Sequence, residues 1–434
     1  MSKSKYMTLI IGAGKSGIAA QRLLQKEGVT TVLLDEKTHT IDDLLHYLNI
    51  SNFTQAIISP GFPVDHPWIN LINKFSIPLL SELELGWSRF KGRSIAITGS
   101  NGKSSVAKWV YEILKNSKFK VCLGGNFGNP VSELAINNSD IDWLVLEVSS
   151  FQLEIIQSFS PTIGVILNVL PNHLDRHISM ENYTQIKGRI FGFPKTFKTH
   201  AILPKRLVQF YKTELSSASS ITTFGDDTMA DYYAMNGAIF FRNDLILDLR
   251  STFFSKRHLL ECSGCAVAAI MNKINVNMLK VQESAFLFRG LPHRFEFIKS
   301  IQGVNFINDS KSTNLSAMRA ALQSCEGGVH LLAGGILKEE NLTFIKEILV
   351  EKVNRLYVFG EAAKVMKNAW DDAVTCLVLS KLEDAFNLAC KNAQPGDNIL
   401  LSPGCSSFDQ YRSFEERGSK FKNLVMQWNK NCRS

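Results

Sequence analysis

Ile95-Ala96-Ile97-Thr98-Gly99-Ser100-Asn101-Gly102-Lys103-Ser104-Ser105 reads as a short apolar strand, a glycine-broken turn, and then Gly-Lys-Ser opening a helix. That order suits a nucleotide triphosphate. Glycines let backbone N–H groups turn toward phosphate oxygens, and the helix adds its positive end. The lysine reaches the outer phosphates and the serine hydroxyl can hold Mg²⁺. The helix is supported by Val106, Trp109, Val110, Ile113 and Leu114, which recur at i, i+3, i+4, i+7 and i+8. The loop is shorter than the usual G-x-x-x-x-G-K-[ST], because position 97 is Ile rather than Gly. Taken alone the segment also fits an ordinary strand-turn-helix with a surface lysine, so a second site must decide.

Composition leaves wide room. A chain of 434 residues holds about two to four domains. Hydrophobic residues at 45% and charged residues at 20% suit a globular protein rather than a disordered one. The net charge of +8 is not concentrated in a block or a basic-aromatic stripe, so no nucleic-acid partner is expected. No apolar stretch approaches a membrane span, and the first residues run straight into a strand rather than a signal peptide. Eight cysteines in this setting read as reduced thiols, which points to the cytoplasm. The one C-x-x-C, Cys262 to Cys265, lacks a second pair and borders a helical pattern, so a buried inert pair is expected there.

Outward from the phosphate loop, strand and helix alternate in three blocks, expected at residues 1–92, 93–290 and 291–434. The first opens with Met7-Thr8-Leu9-Ile10-Ile11 and then Gly12-Ala13-Gly14-Lys15-Ser16-Gly17, a G-x-G-x-x-G between strand and helix. Asp35 follows about twenty positions on, as in dinucleotide sites. The loop reads a diphosphate, so NAD and other nucleotides both remain open. Ser59-Pro60-Gly61 is a further turn at a strand end, where open α/β sheets bind ligands. In the second block Asp142-Trp143-Leu144-Val145-Leu146-Glu147 reads as a buried strand ending in the acidic oxygen that Mg²⁺ needs beside phosphates. A strand over 161–169 leads to Asn172-His173-Leu174-Asp175-Arg176-His177. Its two histidines have zinc-helix spacing without the glutamate, a pattern that more often caps or packs. The third block ends four strands in polar or glycine loops, at 308–314, 333–335, 360–361 and 402–407. These are either a pocket for a small charged molecule or solvated turns.

Taken together, these stretches resemble the Mur ligases of bacterial cell-wall synthesis over nearly the whole chain. The resemblance rests on residues 99–104, Gly124-Gly125-Asn126, residues 146–153, Asn172-His173-Leu174-Asp175, residues 290–296, Asn308-Asp309-Ser310-Lys311 and residues 402–414. The last stretch favours the D-glutamate-adding member, and the Asp-Asn-Pro-Arg signature for a diamino acid is absent. The resemblance implies three α/β domains: a Rossmann-like UDP-binding domain, a central P-loop-type ATPase and a C-terminal Rossmann-like domain. It implies a monomer that joins D-glutamate to UDP-N-acetylmuramoyl-L-alanine through an acyl phosphate formed with ATP.

Residue by residue, it implies ATP contacts at Gly99, Ser100, Asn101, Gly102, Lys103, Ser104, Ser105, Arg294 and Asp309. Two Mg²⁺ ions would lie among Ser104, Glu147, His173 and a carbamylated Lys187, with Lys103 completing the catalytic set. Without the resemblance, Lys187 reads as an ordinary helix-surface lysine. The UDP-linked substrate is implied at Gly14, Lys15, Ser16, Asp35, Gly61, Asn126, Ser149 and Gln152. D-Glutamate is implied at Lys311, Thr313, Lys338, Ser407, Phe408 and Phe414. Two departures stand out. His258-Leu259-Leu260-Glu261-Cys262 replaces a common His-Asn-x-x-Asn, and residues 334–339 depart from Gly-Gly-x-Asp-Lys-Gly. The first predicts weaker adenine-side contacts, and the second alters the loop that presents Lys338.

Overall fold

A computed structural model of the chain describes residues 6–137, 140–192, 199–216, 218–255, 263–337 and 341–431. Its contacts divide into two compact units, Met1–Val169 with Arg176–Phe288, and Leu170–Asp175 with Arg289–Ser434. The first unit carries two sheets and the second carries one.

The smaller sheet of the first unit is all parallel, in the order Thr30–Leu34, Met7–Ile11, Phe53–Ile58, Leu79–Ser81. Leu9, Ile10 and Ile11 are fully buried, as expected for a central parallel strand covered on both faces. Helix Lys15–Lys26 follows the glycine loop. A Cβ on Gly17 would lie 1.8 Å from the Gly12 carbonyl oxygen, so only glycine lets that helix start so close to the strand.

The larger sheet runs Asp244–Asp248, Ala238–Phe241, Tyr232–Met235, Ser220–Gly225, His200–Pro204, Ile163–Ile166, Arg93–Thr98, Trp143–Glu147, Val121–Gly125. It is parallel except for the two pairings at its outer end. Helix Lys103–Asn116 lies against it and buries Val106, Trp109, Val110, Ile113 and Leu114 completely. Each contributes about 1.5–3 kcal/mol before chain entropy is counted. Trp109 also stacks on Phe254 at 3.8 Å between centroids. The start of this helix is therefore held rigidly at the strand end.

Two buried carboxylates join the two sheets of this unit through helix Glu82–Trp87. Glu84 accepts the backbone N–H groups of Gln157, Ser158 and Phe159 at 2.9, 2.6 and 2.8 Å. Glu82 accepts the Ser132 N–H at 2.6 Å, and burial pushes its carboxyl up to about 7.

The second unit orders its strands Glu296–Ile301, Val304–Asn308, Asn398–Leu401, Val329–Gly334, Val353–Phe359, Cys376–Val378, parallel but for the first pair. Among the described residues no helix is long and apolar enough to cross a membrane.

Candidate active site

The turn after Arg93–Thr98 takes the expected form. Gly102 caps helix Lys103–Asn116 at φ 85°, a conformation that strains any residue with a Cβ. The turn is held by a residue the sequence reading did not single out. Asn168 accepts the N–H groups of Ser100 and Asn101 through Oδ1, at 3.1 and 2.9 Å, and returns Nδ2 to the Asn101 carbonyl at 3.1 Å. Two amides expected to face phosphate are thus engaged by this side chain. The Lys103 ammonium folds over the turn onto the Gly99 and Ser100 carbonyls at 2.8 and 2.9 Å. Ser105 is the second residue of the helix's first turn after Lys103 and is buried.

The Ser104 hydroxyl donates to Glu147, and Asn126 Nδ2 donates to the other Glu147 oxygen at 2.6 Å. Glu147 ends the neighbouring strand and is buried, so two hard oxygen donors stand side by side at the phosphate loop. That pair fits Mg²⁺, which favours carboxylate and hydroxyl oxygens.

Lys187 departs most from the residue-level reading. It is no surface lysine: it is 1% exposed, on helix Met180–Gly188. Its Nζ lies 3.1 Å from the Gly99 carbonyl, 3.5 Å from Thr98 Oγ1 and 4.5 Å above the Tyr183 ring. Burial lowers its pKa well below the ordinary lysine value; the charge on Lys103 adds to this and Glu147 opposes it. A lowered pKa favours the neutral amine, the form of a lysine that adds CO₂. Tyr183 lies 3.1 Å, hydroxyl to hydroxyl, from Ser100, and burial raises its phenol to about 12.

The two histidines part ways. His173 sits at φ 56° in Leu170–Asp175, which groups with the second unit. Ser104, Glu147 and Lys187, the other three residues predicted around the metals, come together in the first. His177 is buried in packing, as the bare spacing suggested: Nε2 is 2.9 Å from Ser150 Oγ, and its ring lies against Phe151 and Tyr183.

At the smaller sheet, Asp35 closes the glycine loop by accepting the N–H of Ala13 at 2.7 Å and of Lys37 at 3.0 Å. These bonds lower its pKa. Gly14, Lys15 and Gly61 are exposed at that edge and Ser16 is half-buried. Ser149 and Gln152 form a reciprocal capping box on Ser150–Leu153, a structural duty the sequence reading had not assigned them.

In the second unit Asp309 is buried, accepting the Phe295 N–H and the Ser402 hydroxyl at 2.9 Å each. Burial raises its carboxyl to about 7. Arg294 and Thr313 are half-buried. Lys311 Nζ sits 3.9 Å over the Phe414 ring; Ser407 is buried while Phe408 is 69% exposed. The loops bearing these residues are joined by Arg417, fully buried and absent from the predicted set. It donates to Ser310 Oγ and O, Gly334 O, Cys405 O and Ser406 O at 2.8–3.4 Å. Lys338, Leu259 and Cys262 lie outside the described residues, as do the rest of residues 258–262 and Glu339. Cys265 is fully buried.

Comparison with known proteins follows the same geography. Residues 97–270 match the Mur ligase middle domain, and residues 293–405 match the Mur ligase, glutamate ligase domain. A UDP-N-acetylmuramoylalanine--D-glutamate ligase of Acidobacterium capsulatum is 36% identical over 96% of this chain and 95% of its own length. The chain belongs to the Mur ligase family. A Koribacter versatilis protein of the same description is 33% identical, covering 96% of each. The MurC structure from Thermotoga maritima shares the fold, with a TM-score of 0.61 at 15% identity over 98% of this chain and 99% of that one. For this Mur ligase, the glycine loop at residues 12–17 no longer argues for an NAD enzyme. Arg176, Asn168, Tyr183 and Arg417 are the residues whose roles only the fold reveals.

Proposed function

We propose that this Mur ligase joins D-glutamate to UDP-N-acetylmuramoyl-L-alanine at the expense of ATP. The observation that carries the reading is the convergence of Lys103, Ser104, Glu147 and a buried Lys187 of lowered pKa on one strand-to-helix turn. A carboxylate does not form an amide in water unless it is activated. The L-alanine carboxylate attacks the γ-phosphorus of ATP; the bond to the β-γ bridging oxygen breaks, leaving ADP and an acyl phosphate. The D-glutamate amine then adds to the acyl carbon, and the tetrahedral intermediate expels phosphate as the amine loses its proton.

Lys103 leaves the Gly99 and Ser100 carbonyls for the β- and γ-phosphates, and the first turn of its helix faces the same anion. Ser104 and Glu147 would hold Mg²⁺, which when bound neutralises charge on the transferring phosphoryl group. Lys187 adds CO₂ through its neutral amine, losing a proton and becoming a carbamate anion. His173 would serve a second ion on the same reading. Arg294 and Asp309 serve the nucleotide. Gly14, Lys15, Ser16, Asp35, Gly61, Asn126, Ser149 and Gln152 serve the UDP-linked substrate. Lys311, Thr313, Lys338, Ser407, Phe408 and Phe414 serve D-glutamate, where ammonium and hydroxyl groups meet two carboxylates. We take residues 1–92, 93–290 and 291–434 as the three corresponding domains, and the enzyme as a cytoplasmic monomer.

Phosphate release, measured with each substrate omitted in turn, tests this. Release should require ATP, Mg²⁺, the UDP-linked alanine and D-glutamate together. Faster turnover with L-lysine, diaminopimelate or L-alanine would keep the family and reject the substrate.

A further inference from the structure

The turn that follows strand Phe53–Ile58 is held by a side chain from far along the chain. Arg176 Nη1 donates to the carbonyls of Pro60 and Gly61 at 2.9 and 3.3 Å, and Nη2 donates to that of Phe62 at 3.0 Å. The opposite edge of the same guanidinium is fastened to Glu154. Nε lies 3.1 Å from both carboxylate oxygens, and Nη2 lies 2.5 Å from Oε2. The guanidinium also rests 4.1 Å over the Phe151 ring. The two side chains of the pair are only 12% and 6% exposed. Burial alone would raise the Glu154 carboxyl, but hydrogen bonds from His177 and Arg176 outweigh it and leave the group ionised.

The placement of these partners gives the contact its meaning. Phe151 and Glu154 stand on and just after helix Ser150–Leu153, three residues beyond the strand that ends in Glu147. The turn at 59–62 lies at the C-terminal edge of a parallel sheet, beside the glycine loop, where Ser59 Oγ donates to the Gly12 carbonyl at 3.2 Å. Ligands bind at such edges. Gly61 is exposed there, with nothing within 4 Å of where a Cβ would stand. Arg176 thus sets the turn in fixed register with the metal-side strand end. A planar guanidinium can serve three carbonyls and a carboxylate at once; a lysine ammonium cannot.

We infer that Arg176 is a positioning residue for the UDP-linked substrate, holding residues 60–62 in the shape that receives it. The inference rests on the reading of this edge as the UDP side.

Arg176→Lys separates the roles, because lysine keeps the ion pair with Glu154 while giving up the fork. The melting temperature should stay near that of the native enzyme. The KM for UDP-N-acetylmuramoyl-L-alanine should rise roughly tenfold or more, with the KM for ATP and kcat changed by less than about threefold. Glu154→Gln, which loosens the far edge of the guanidinium, should raise the same KM by less. An unchanged KM for the UDP-linked substrate in both variants overturns the inference. So does an equal rise in both KM values, which would mark a merely structural contact. If the native enzyme does not bind the UDP-linked substrate in a direct titration, the underlying reading falls, and this role falls with it.

Discussion

Replacing Asp309 by asparagine tests whether the second unit contains a carboxyl that resists ionisation. Burial lifts this group from an ordinary 3.8 to about 7, against the Phe295 N–H, the Ser402 hydroxyl and the charges of Arg294 and Arg417. Between about pH 4 and 7 the folded chain therefore keeps a proton that the unfolded chain has lost. Where the folded state binds more protons, stability falls as pH rises. At about 1.4 kcal/mol per pKa unit the full loss is about 4.5 kcal/mol, reached above the folded pKa. About 1.5 kcal/mol of that is already lost at pH 5, leaving about 3 kcal/mol to be lost by pH 8. Asparagine stays neutral throughout, and its side-chain oxygen can still accept the Phe295 N–H. Urea unfolding of both proteins at pH 5 and pH 8, at one ionic strength, reads the difference. Asp309→Asn should gain about 3 kcal/mol relative to the native chain between those two pH values. A gap that stays flat, or widens in the other direction, refutes the reasoning.

Other outcomes bear on the phosphate loop and the amine side. Lys103→Ala should lower the ligation rate about a hundredfold or more at saturating ATP, while calorimetric affinity for the UDP-linked substrate changes by less than about threefold. Lys187→Arg should be as inactive as Lys187→Met, since neither can carry CO₂, and labelled CO₂ should be trapped on the Lys187 peptide of the native chain; an active arginine variant would end the carbamate reading. Ser407→Ala should raise the KM for D-glutamate roughly tenfold and leave that for ATP within about twofold, in initial-rate assays that vary one substrate at a time.

The sequence was most legible where chemistry and periodicity coincide. Met7–Ile11, the strands ending in Thr98 and Glu147 and the helix Lys103–Asn116 stand where their patterns put them, because buried parallel strands and amphipathic helices write themselves into apolar spacing. The outer end of the larger sheet, Tyr232–Met235 through Asp244–Asp248, went unread. Its short strands pair antiparallel near the surface and leave only weak alternation. Lys187 was misread at the residue level because a lone lysine at the end of a helix carries no sign of what covers it. Resemblance alone singled it out. Asn168, Arg176 and Arg417 act through backbone atoms distant in the chain, and a carbonyl partner leaves no mark in a one-dimensional pattern.

Arg417 has a consequence at a distance. Among the described residues, its hydrogen bonds all go to carbonyls and the Ser310 hydroxyl, and none goes to a carboxylate. Asp309 and Asp409 reach it only through space, and Asp309 is protonated below about pH 7. Carbonyl dipoles spread a charge without cancelling it, and a low-dielectric interior transmits what remains toward the loops around Ser310 and Ser407. The buried guanidinium thus makes a positive contribution at those loops, to which Lys311 adds and which Asp409 offsets in part. If these loops take D-glutamate as proposed, the net negative charge of that dicarboxylate should make its capture faster in dilute salt than in concentrated salt. A neutral amine of the same size gains no such guidance.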